Sequence, residues 1–239
     1  MSAWLIGTVQ GLREETPSAR TLHLDVPGWM GNEAGQHLDV RLTAEDGYQA
    51  ARSYSVSTAG SGQMLEISVD QLENGEVSPY LVHGLSAGDK VEVRGPLGRW
   101  FVWRPTQTEP IQLIGGGSGV APLRAMLRAH EMAGSTAPMR LLYSVRSPRA
   151  AFYRDEFARL ATSGSVRIDY VYTREAPPDW PMPPGRLSKE QVAVLTIPPD
   201  KTPTVYVCGP TSFVETVADW LVELGHDPAN IRTERFGGK

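Results

Sequence analysis

Cysteine is almost absent from this chain of 239 residues, which contains only Cys208. A disulfide within the chain is therefore excluded, as is a four-cysteine iron–sulfur cluster or a structural zinc site built from cysteines. The first residues, Met1 to Gly7, lack the basic stretch and the apolar core of a secretory signal. No apolar run approaches the roughly 20 residues that span a bilayer. We therefore expect a cytoplasmic protein without a membrane span.

An excess of basic residues is also lacking. The 23 lysines and arginines are outnumbered by 27 aspartates and glutamates, giving a net charge of −4, and the basic residues are scattered. This charge distribution provides no basic surface patch that would bind nucleic acid, so we expect no nucleic-acid partner. The length suits one large domain or two small ones. The oligomeric state stays open, with a monomer as the default.

The first half of the chain, up to about residue 103, alternates polar and apolar residues in short segments. These segments are Thr21–Val26, His37–Leu42, Met64–Val69 and Lys90–Arg94. A period of two is typical of half-buried antiparallel strands, and several such strands separated by glycine-rich turns favour a small barrel or sandwich. We also expect a helix near Ser78–Gly84, because Ser78 can cap it and Pro79 suits a first helical turn.

After a polar segment the pattern changes. Short apolar strands are predicted at Ile111–Ile114, Met139–Val145, Val166–Tyr172 and Val205–Cys208. Helical spacing of apolar residues occurs between these strands, from Val120 to Leu127, from Phe152 to Leu160 and from Phe213 to Leu224. Strands alternating with helices imply a parallel sheet covered on both faces. We therefore divide the chain into a β domain at 1–104, a linker at 105–110 and an α/β domain at 111–239.

A glycine-rich loop, Gly115-Gly116-Gly117-Ser118-Gly119, stands where a predicted strand meets a predicted helix. Glycines allow the backbone to approach a ligand closely, and the free N–H groups of a helix start attract phosphate. The carboxyl edge of a parallel sheet is also the expected ligand position. The loop therefore indicates a nucleotide phosphate site, with a tight turn that binds no ligand as the alternative.

Two arginines bear on which nicotinamide nucleotide is bound. Arg146 follows the second strand of this half, where an NAD site of the common type has an acidic residue. A guanidinium suits the 2′-phosphate of NADPH, although a solvated loop arginine is the alternative. Arg174, after the third strand, is a candidate of the same kind. Both NADPH and NADH stay possible as substrates.

The segment from Arg52 to Ser57 is the second candidate site. Alternation along a strand would place Arg52 and Tyr54 on one face and Ser53 and Ser55 on the other. An arginine suits a pyrophosphate, and a tyrosine offers a flat neighbour to a flavin ring. The alternative is a barrel strand with a surface arginine and a half-buried tyrosine.

Several short motifs occur in a fixed order along the chain. They are Arg52-x-Tyr54-Ser55, Gly75-Glu76-Val77-Ser78, Gly95-Pro96-Leu97-Gly98, the segment from Gly115 to Pro122, and Cys208-Gly209-Pro210. In this order they resemble the ferredoxin–NADP⁺ reductase family, and most of all the reductase modules of bacterial oxygenase systems. The resemblance implies a Greek-key antiparallel β-barrel for the flavin, followed by an α/β parallel-sheet nucleotide-binding domain, without a fused iron–sulfur domain.

On the flavin side the resemblance implies FAD as the cofactor, with FMN less favoured. Arg52 would contact the pyrophosphate, Tyr54 would stack on the isoalloxazine and Ser55 would hydrogen-bond near N5. The other flavin-binding residues implied are Ser53, Val69, Gly75, Val77 and Ser78.

On the nicotinamide side the resemblance implies that the glycine-rich loop holds the nucleotide. The residues implied are Gly116, Gly117, Ser118, Gly119, Arg146, Arg174, Cys208, Gly209 and Pro210. Phe236 would cover the second face of the flavin, although a residue so close to the end of the chain can simply be mobile. Tyr54, Ser55, Cys208 and Phe236 are the candidate catalytic residues, with Cys208 expected to pack rather than react. No metal site is expected.

The resemblance implies an FAD-dependent NAD(P)H oxidoreductase. Hydride would pass from nicotinamide C4 to FAD N5, and single electrons would then pass to a separate acceptor protein. That acceptor would be a ferredoxin, an oxygenase component or another iron–sulfur, haem or metal protein, because this chain has too few cysteines for a cluster. The alternatives are a flavin reductase that releases reduced flavin and a non-catalytic flavin-binding regulatory subunit.

Overall fold

A computed structural model describes residues 3–164 and 166–236 of the chain. The backbone forms two compact units. The first comprises Met1–Arg104 together with Arg124–Ala129, and the second comprises Pro105–Leu123 together with His130–Lys239. Each unit is built around its own β-sheet.

The first unit contains six antiparallel strands. They are β1 (Leu5–Thr16), β2 (Ala19–Asp25), β3 (His37–Thr43), β4 (Gln49–Ser55), β5 (Met64–Asp70) and β6 (Lys90–Leu97). Their order in the sheet is β4-β3-β6-β1-β2-β5, so β6 inserts between two hairpins. The strands β4 and β5 form the two edges of this sheet. An antiparallel bridge between Val56, directly after β4, and Ile67 in β5 links these two edges. The predicted antiparallel barrel is confirmed.

The barrel core follows from the alternation along its strands. In β5, for example, Leu65, Ile67 and Val69 are buried against the other inward-facing apolar residues. The long strand β1 was not predicted, because only three of its 12 residues are buried. Its second half carries Arg13 and Glu14 on the surface, which hides the period of two.

The second unit is a parallel sheet with helices between the strands. The strands are β7 (Ile111–Gly116), β8 (Met139–Val145), β9 (Arg167–Tyr172), β10 (Thr204–Pro210) and β11 (Ile231–Phe236). The helices are α1 (Val120–Met132), of which Arg124–Ala129 belong to the first unit, α2 (Arg154–Thr162), α3 (Lys189–Leu195) and α4 (Thr211–Glu223). The predicted α/β architecture is confirmed.

The strand order of this sheet, β11-β10-β7-β8-β9, reverses direction at β7. The chain runs from β7 outward to β9 and then returns to place β10 on the other side of β7. Such a reversal opens a crevice between the loops that follow the two central strands, and ligands bind there in open α/β sheets. The loops after β7 and β10 are therefore the expected ligand position.

The expected helix at Ser78–Gly84 is present: Ser78 and Pro79 are α-helical and lead into a π-helical turn over Tyr80–Gly84. Two local predictions differ from the structure. Ser78 does not cap that turn, because its hydroxyl accepts a hydrogen bond from the Leu72 N–H at 3.0 Å. Helix α2 begins two residues later than expected, since Tyr153 adopts a left-handed conformation with φ of 56°.

Helix α3 was not predicted. Its signal was present in the sequence as a capping box, in which Ser188 and Gln191 each hydrogen-bond the backbone of the other. Across residues 3–164 and 166–236, no helix is long and apolar enough to cross a bilayer. The same residues contain no group of three or more His, Cys, Asp or Glu side chains placed to hold a metal ion.

Candidate nucleotide-binding sites

The loop after β7 is a short 3₁₀ turn over Gly117–Gly119 that leads directly into α1. The N–H of Val120 points back to the carbonyl groups of Gly117 and Ser118. Gly117 has a φ of +56°, a left-handed conformation that glycine adopts without steric cost. The loop therefore turns sharply within three residues and leaves space beside its backbone, since nothing lies within 4 Å of a Cβ position at Gly117.

Close backbone contact joins this loop to the end of β10. A Cβ added at Gly119 would lie 2.6 Å from the carbonyl carbon of Cys208 and 2.7 Å from the nitrogen of Gly209. A Cβ at either Gly116 or Gly209 would lie 2.8 Å from the ring of Phe213. The structure thus brings together the two motifs that the sequence predicts for the nicotinamide nucleotide. Gly119 therefore allows the two loops to meet, and Gly116 and Gly209 leave room for the Phe213 ring.

The Cys208 thiol, at the end of β10, is held in its uncharged form by its surroundings. Its side chain is fully buried. Burial, reinforced by the charge of Glu234, raises the pKa of the Cys208 thiol well above its ordinary value. Glu234 lies opposite Cys208 on the neighbouring strand β11. A buried neutral thiol is a poor nucleophile, which favours a packing role over thiolate chemistry.

Phe236 is the last described residue, and it ends β11. It lies opposite Pro210 in the parallel pairing of β10 and β11 and is half-buried. Phe236 therefore stands at the same carboxyl edge of the sheet as Cys208 and Gly209.

Arg146 and Arg174 lie at the carboxyl ends of β8 and β9. The N–H of Arg174 donates to the carbonyl oxygen of Arg146 at 2.9 Å, so the two loops run side by side. Both residues are exposed, and neither guanidinium forms an ion pair with a carboxylate among the described residues. Two guanidinium groups at the same edge of the sheet can receive an anion.

In the first unit, Arg52 is held by two hydrogen bonds. Its guanidinium donates to Glu76 Oε2 at 2.6 Å and to the carbonyl oxygen of Ala51 at 2.8 Å. The other oxygen of Glu76 accepts a hydrogen bond from the Tyr48 hydroxyl at 3.0 Å. That bond, with the charge of Glu76, raises the pKa of the Tyr48 phenol. The sequence indicated neither contact.

The alternation predicted along β4 separates Arg52 and Tyr54 from Ser53. Tyr54 packs against the barrel core, where burial raises the pKa of its phenol to about 12. The Ser53 hydroxyl instead donates to Asp39 on β3 at 2.7 Å. Ser55 lies opposite His37 on the same neighbouring strand. The ring of Tyr54 and the guanidinium of Arg52 therefore share one face of β4.

The loop Gly75–Ser78 forms a tight turn near Arg52. A Cβ at Gly75 would lie 2.8 Å from the Ser78 hydroxyl, so glycine is required there. The side chains of Val77 and Val69 are buried in the barrel core, which leaves only their backbone groups for a ligand. Arg52 reaches this turn through its ion pair with Glu76.

Tyr48 and Glu76 also line a cavity of about 680 Å³ in the first unit. Its other walls combine apolar side chains such as Ala50 with charged ones such as Arg41 and Glu92. This volume lies in the range of small-molecule sites.

Comparison with known proteins matches each unit to an oxidoreductase domain. Residues 8–102 match the oxidoreductase FAD-binding domain, and residues 113–219 match the oxidoreductase NAD-binding domain. Ferredoxin–NADP reductase B of Sorangium cellulosum is 33% identical over 214 residues, which are 85% of this chain and 85% of that protein. The chain belongs to the ferredoxin–NADP reductase family.

Other members of this family include parts of oxygenase systems. The ferredoxin–NAD(P)⁺ reductase component of naphthalene 1,2-dioxygenase/salicylate 5-hydroxylase systems of a Ralstonia species is 28% identical over 96% of this chain and 68% of its own length. The flavohem-like FAD/NAD-binding domain of nitric oxide dioxygenase from Vibrio cholerae superposes with a TM-score of 0.87 at 26% identity, covering 100% of both chains. The chain spans about half (53%) of the length of a flavohemoprotein that it also matches. The predicted likeness to oxygenase reductase modules is confirmed.

The ferredoxin–NADP reductase domains bind FAD and a nicotinamide nucleotide, and the residues present fit both groups. The first unit offers a guanidinium, a half-buried tyrosine ring and a glycine turn. The second offers a glycine loop at the reversal of its strand order, with two exposed arginines on neighbouring loops.

Proposed function

We propose that this chain is an FAD-dependent NAD(P)H reductase, in which hydride passes from nicotinamide C4 to FAD N5 and single electrons then pass to a separate acceptor protein. The observation that carries this proposal is the contact between the Gly116–Gly119 loop and the Cys208–Pro210 segment where the strand order reverses. The cofactor supplies the redox chemistry, and the protein binds and orients it.

We assign the flavin to residues 1–104, the linker to residues 105–110 and the nicotinamide nucleotide to residues 111–239. Tyr54 stacks on the flavin ring, since its phenol is uncharged and its ring is fixed against the barrel core. Ser55 hydrogen-bonds near flavin N5. Arg52, the Gly75–Ser78 turn and the backbone of Val69 contact the rest of the flavin nucleotide.

In the nicotinamide half, Gly116–Gly119 follow the nucleotide backbone and Ser118 lies near the nicotinamide. Cys208 and Gly209 pack beside the ring, which suits the neutral buried thiol. Pro210 and Phe236 stand at the same edge of the sheet. Phe236 would cover one face of the bound flavin.

NADPH is the proposed coenzyme. The 2′-phosphate needs a cationic partner, and the exposed guanidinium groups of Arg146 and Arg174 provide one.

The proposed acceptor is an iron–sulfur, haem or other metal protein. Relatives named as a ferredoxin reductase and as a reductase component of a dioxygenase system support an acceptor of this kind. The cytoplasmic location and the monomeric state stay predictions.

One experiment separates this proposal from its alternatives. The purified chain is saturated with FAD and passed through gel filtration, and NADPH oxidation is then measured with ferricyanide, a one-electron acceptor. FAD that stays bound and supports turnover agrees with the proposal. Turnover that requires added free flavin indicates a flavin reductase. Bound FAD without turnover by either nicotinamide indicates a regulatory subunit.

A further inference from the structure

Glu76 places a carboxylate beside the arginine that would hold a flavin phosphate. Its Oε2 lies 2.6 Å from the Arg52 guanidinium, and the two side chains are 51% and 53% exposed. The charge of Arg52 is therefore already paired before any ligand arrives. A phosphate that approaches Arg52 meets the negative charge of Glu76 at the same time.

Tyr48 keeps this carboxylate near Arg52. The Tyr48 hydroxyl donates to Glu76 Oε1 at 3.0 Å, while Arg52 takes Oε2. Both carboxylate oxygens are therefore engaged, and moving Glu76 away from a ligand would break both contacts. The two contacts hold the negative charge of Glu76 beside Arg52.

The two common flavin nucleotides differ in how they carry their charge. The terminal phosphate of FMN is a monoester, which carries about −1.5 to −2 charge at neutral pH on a single group. Each phosphate of the FAD pyrophosphate has one ester link and one anhydride link, so each carries a single negative charge. A fixed carboxylate repels the concentrated charge of FMN more strongly than the divided charge of FAD.

We propose that Glu76 is a specificity-determining residue that disfavours FMN relative to FAD at this site. This inference rests on the proposed binding of a flavin phosphate by Arg52. Paired with Glu76, Arg52 still hydrogen-bonds a singly charged phosphate of FAD, but it no longer compensates the doubly charged monoester of FMN.

The test measures flavin affinity rather than activity. The dissociation constants of FAD and FMN are determined by flavin fluorescence for the apoprotein and for Glu76→Gln. Without the charge of Glu76, Arg52 is expected to bind both flavins more tightly. The affinity for FMN should increase more than the affinity for FAD. We expect the ratio of Kd(FMN) to Kd(FAD) to fall about tenfold, equal to about 1.4 kcal/mol.

Two further variants identify the cause. Glu73→Gln removes the same charge from an exposed side chain in the same loop, and it should leave the ratio unchanged. Glu76→Asp keeps the charge and should retain most of the discrimination. Because Glu76 is exposed, these variants should fold as the wild type does, which circular dichroism checks.

The outcomes separate the inference from the proposed function. An unchanged ratio in Glu76→Gln would overturn the inference alone, provided that the wild-type chain binds FAD. An equal fall in Glu73→Gln or in Glu76→Asp would also overturn it, because the effect would not depend on a carboxylate at residue 76. A wild-type chain that binds neither flavin would overturn the proposed function itself.

Discussion

Gly119 lies directly against the backbone of Cys208. A Cβ at residue 119 would overlap the Cys208 carbonyl group, although Gly119 itself has an unstrained φ. The requirement for glycine therefore comes from the close approach of two loops and not from the backbone conformation of either.

Gly119→Ala should separate these loops. Overpacking against rigid backbone costs about 1 to 3 kcal/mol, so we expect a lower thermal unfolding temperature and a weaker affinity for NADP⁺. Calorimetry and NADP⁺ titration measure the two effects. The control is Gly185→Ala, since nothing lies within 4 Å of a Cβ at Gly185. A Gly119→Ala variant as stable as the wild type and with its NADP⁺ affinity would disagree with the geometry.

Arg52→Ala should weaken FAD binding. A hydrogen bond to a charged group contributes about 1.5 to 3 kcal/mol, which corresponds to at least about a tenfold rise in the FAD dissociation constant. Fluorescence titration of the apoprotein checks this value. The matched control is Arg20→Ala, which removes a guanidinium from another strand of the same barrel. Unchanged flavin affinity in Arg52→Ala would refute the role of Arg52.

Arg146→Ala should affect NADPH and NADH differently. If Arg146 binds the 2′-phosphate, its loss should raise the KM for NADPH about tenfold or more and leave the KM for NADH nearly unchanged. Steady-state kinetics with both nucleotides measures the difference. Arg140→Ala serves as the control, because Arg140 lies near the other end of β8. Equal changes for the two nucleotides would eliminate this role.

Glu66→Gln should lower stability in a pH-dependent way. Glu66 Oε2 lies 2.5 Å from the guanidinium of Arg124, which has no exposed surface. Burial would raise the pKa of Glu66, but the charge of Arg124 and its hydrogen bond outweigh it, so the pKa lies below its ordinary value of 4.5. The ionised carboxylate therefore stabilises the fold above that value, and the stabilisation is lost as the pH falls through the folded-state pKa.

The free energy of unfolding of Glu66→Gln should be about 3 to 5 kcal/mol lower than that of the wild type at pH 7, because the buried guanidinium loses its ion pair with Glu66. The difference should shrink at pH 4 and below. Urea unfolding at several pH values tests this expectation. A difference that is independent of pH would show that the charge of Glu66 contributes nothing.

The sequence predicted elements whose apolar pattern is regular and missed those whose pattern is broken. The strand Met139–Val145 has the predicted bounds because nearly every residue of it is buried. Strand β1 was not predicted, because its second half carries polar residues on both faces of the strand. The period of two along β4 also sufficed to place Arg52 and Tyr54 on one face.

Contacts between distant segments could not be predicted in this way. Arg52 and Glu76 are 24 residues apart, and no periodicity relates them. The flavin role of Ser53 stays a prediction; the hydrogen bond from its hydroxyl to Asp39 could not be predicted, because only the pairing of β3 with β4 determines it. The contact of Gly119 with Cys208 likewise follows from the strand order of the sheet.

The most direct test of the proposed electron transfer is an anaerobic titration of the FAD-loaded chain with NADPH, followed by the visible absorbance of the flavin. We predict loss of the oxidised-flavin band with about one equivalent of nucleotide, since hydride carries both electrons. A bound flavin that stays oxidised with excess NADPH and with excess NADH would contradict the proposed electron transfer.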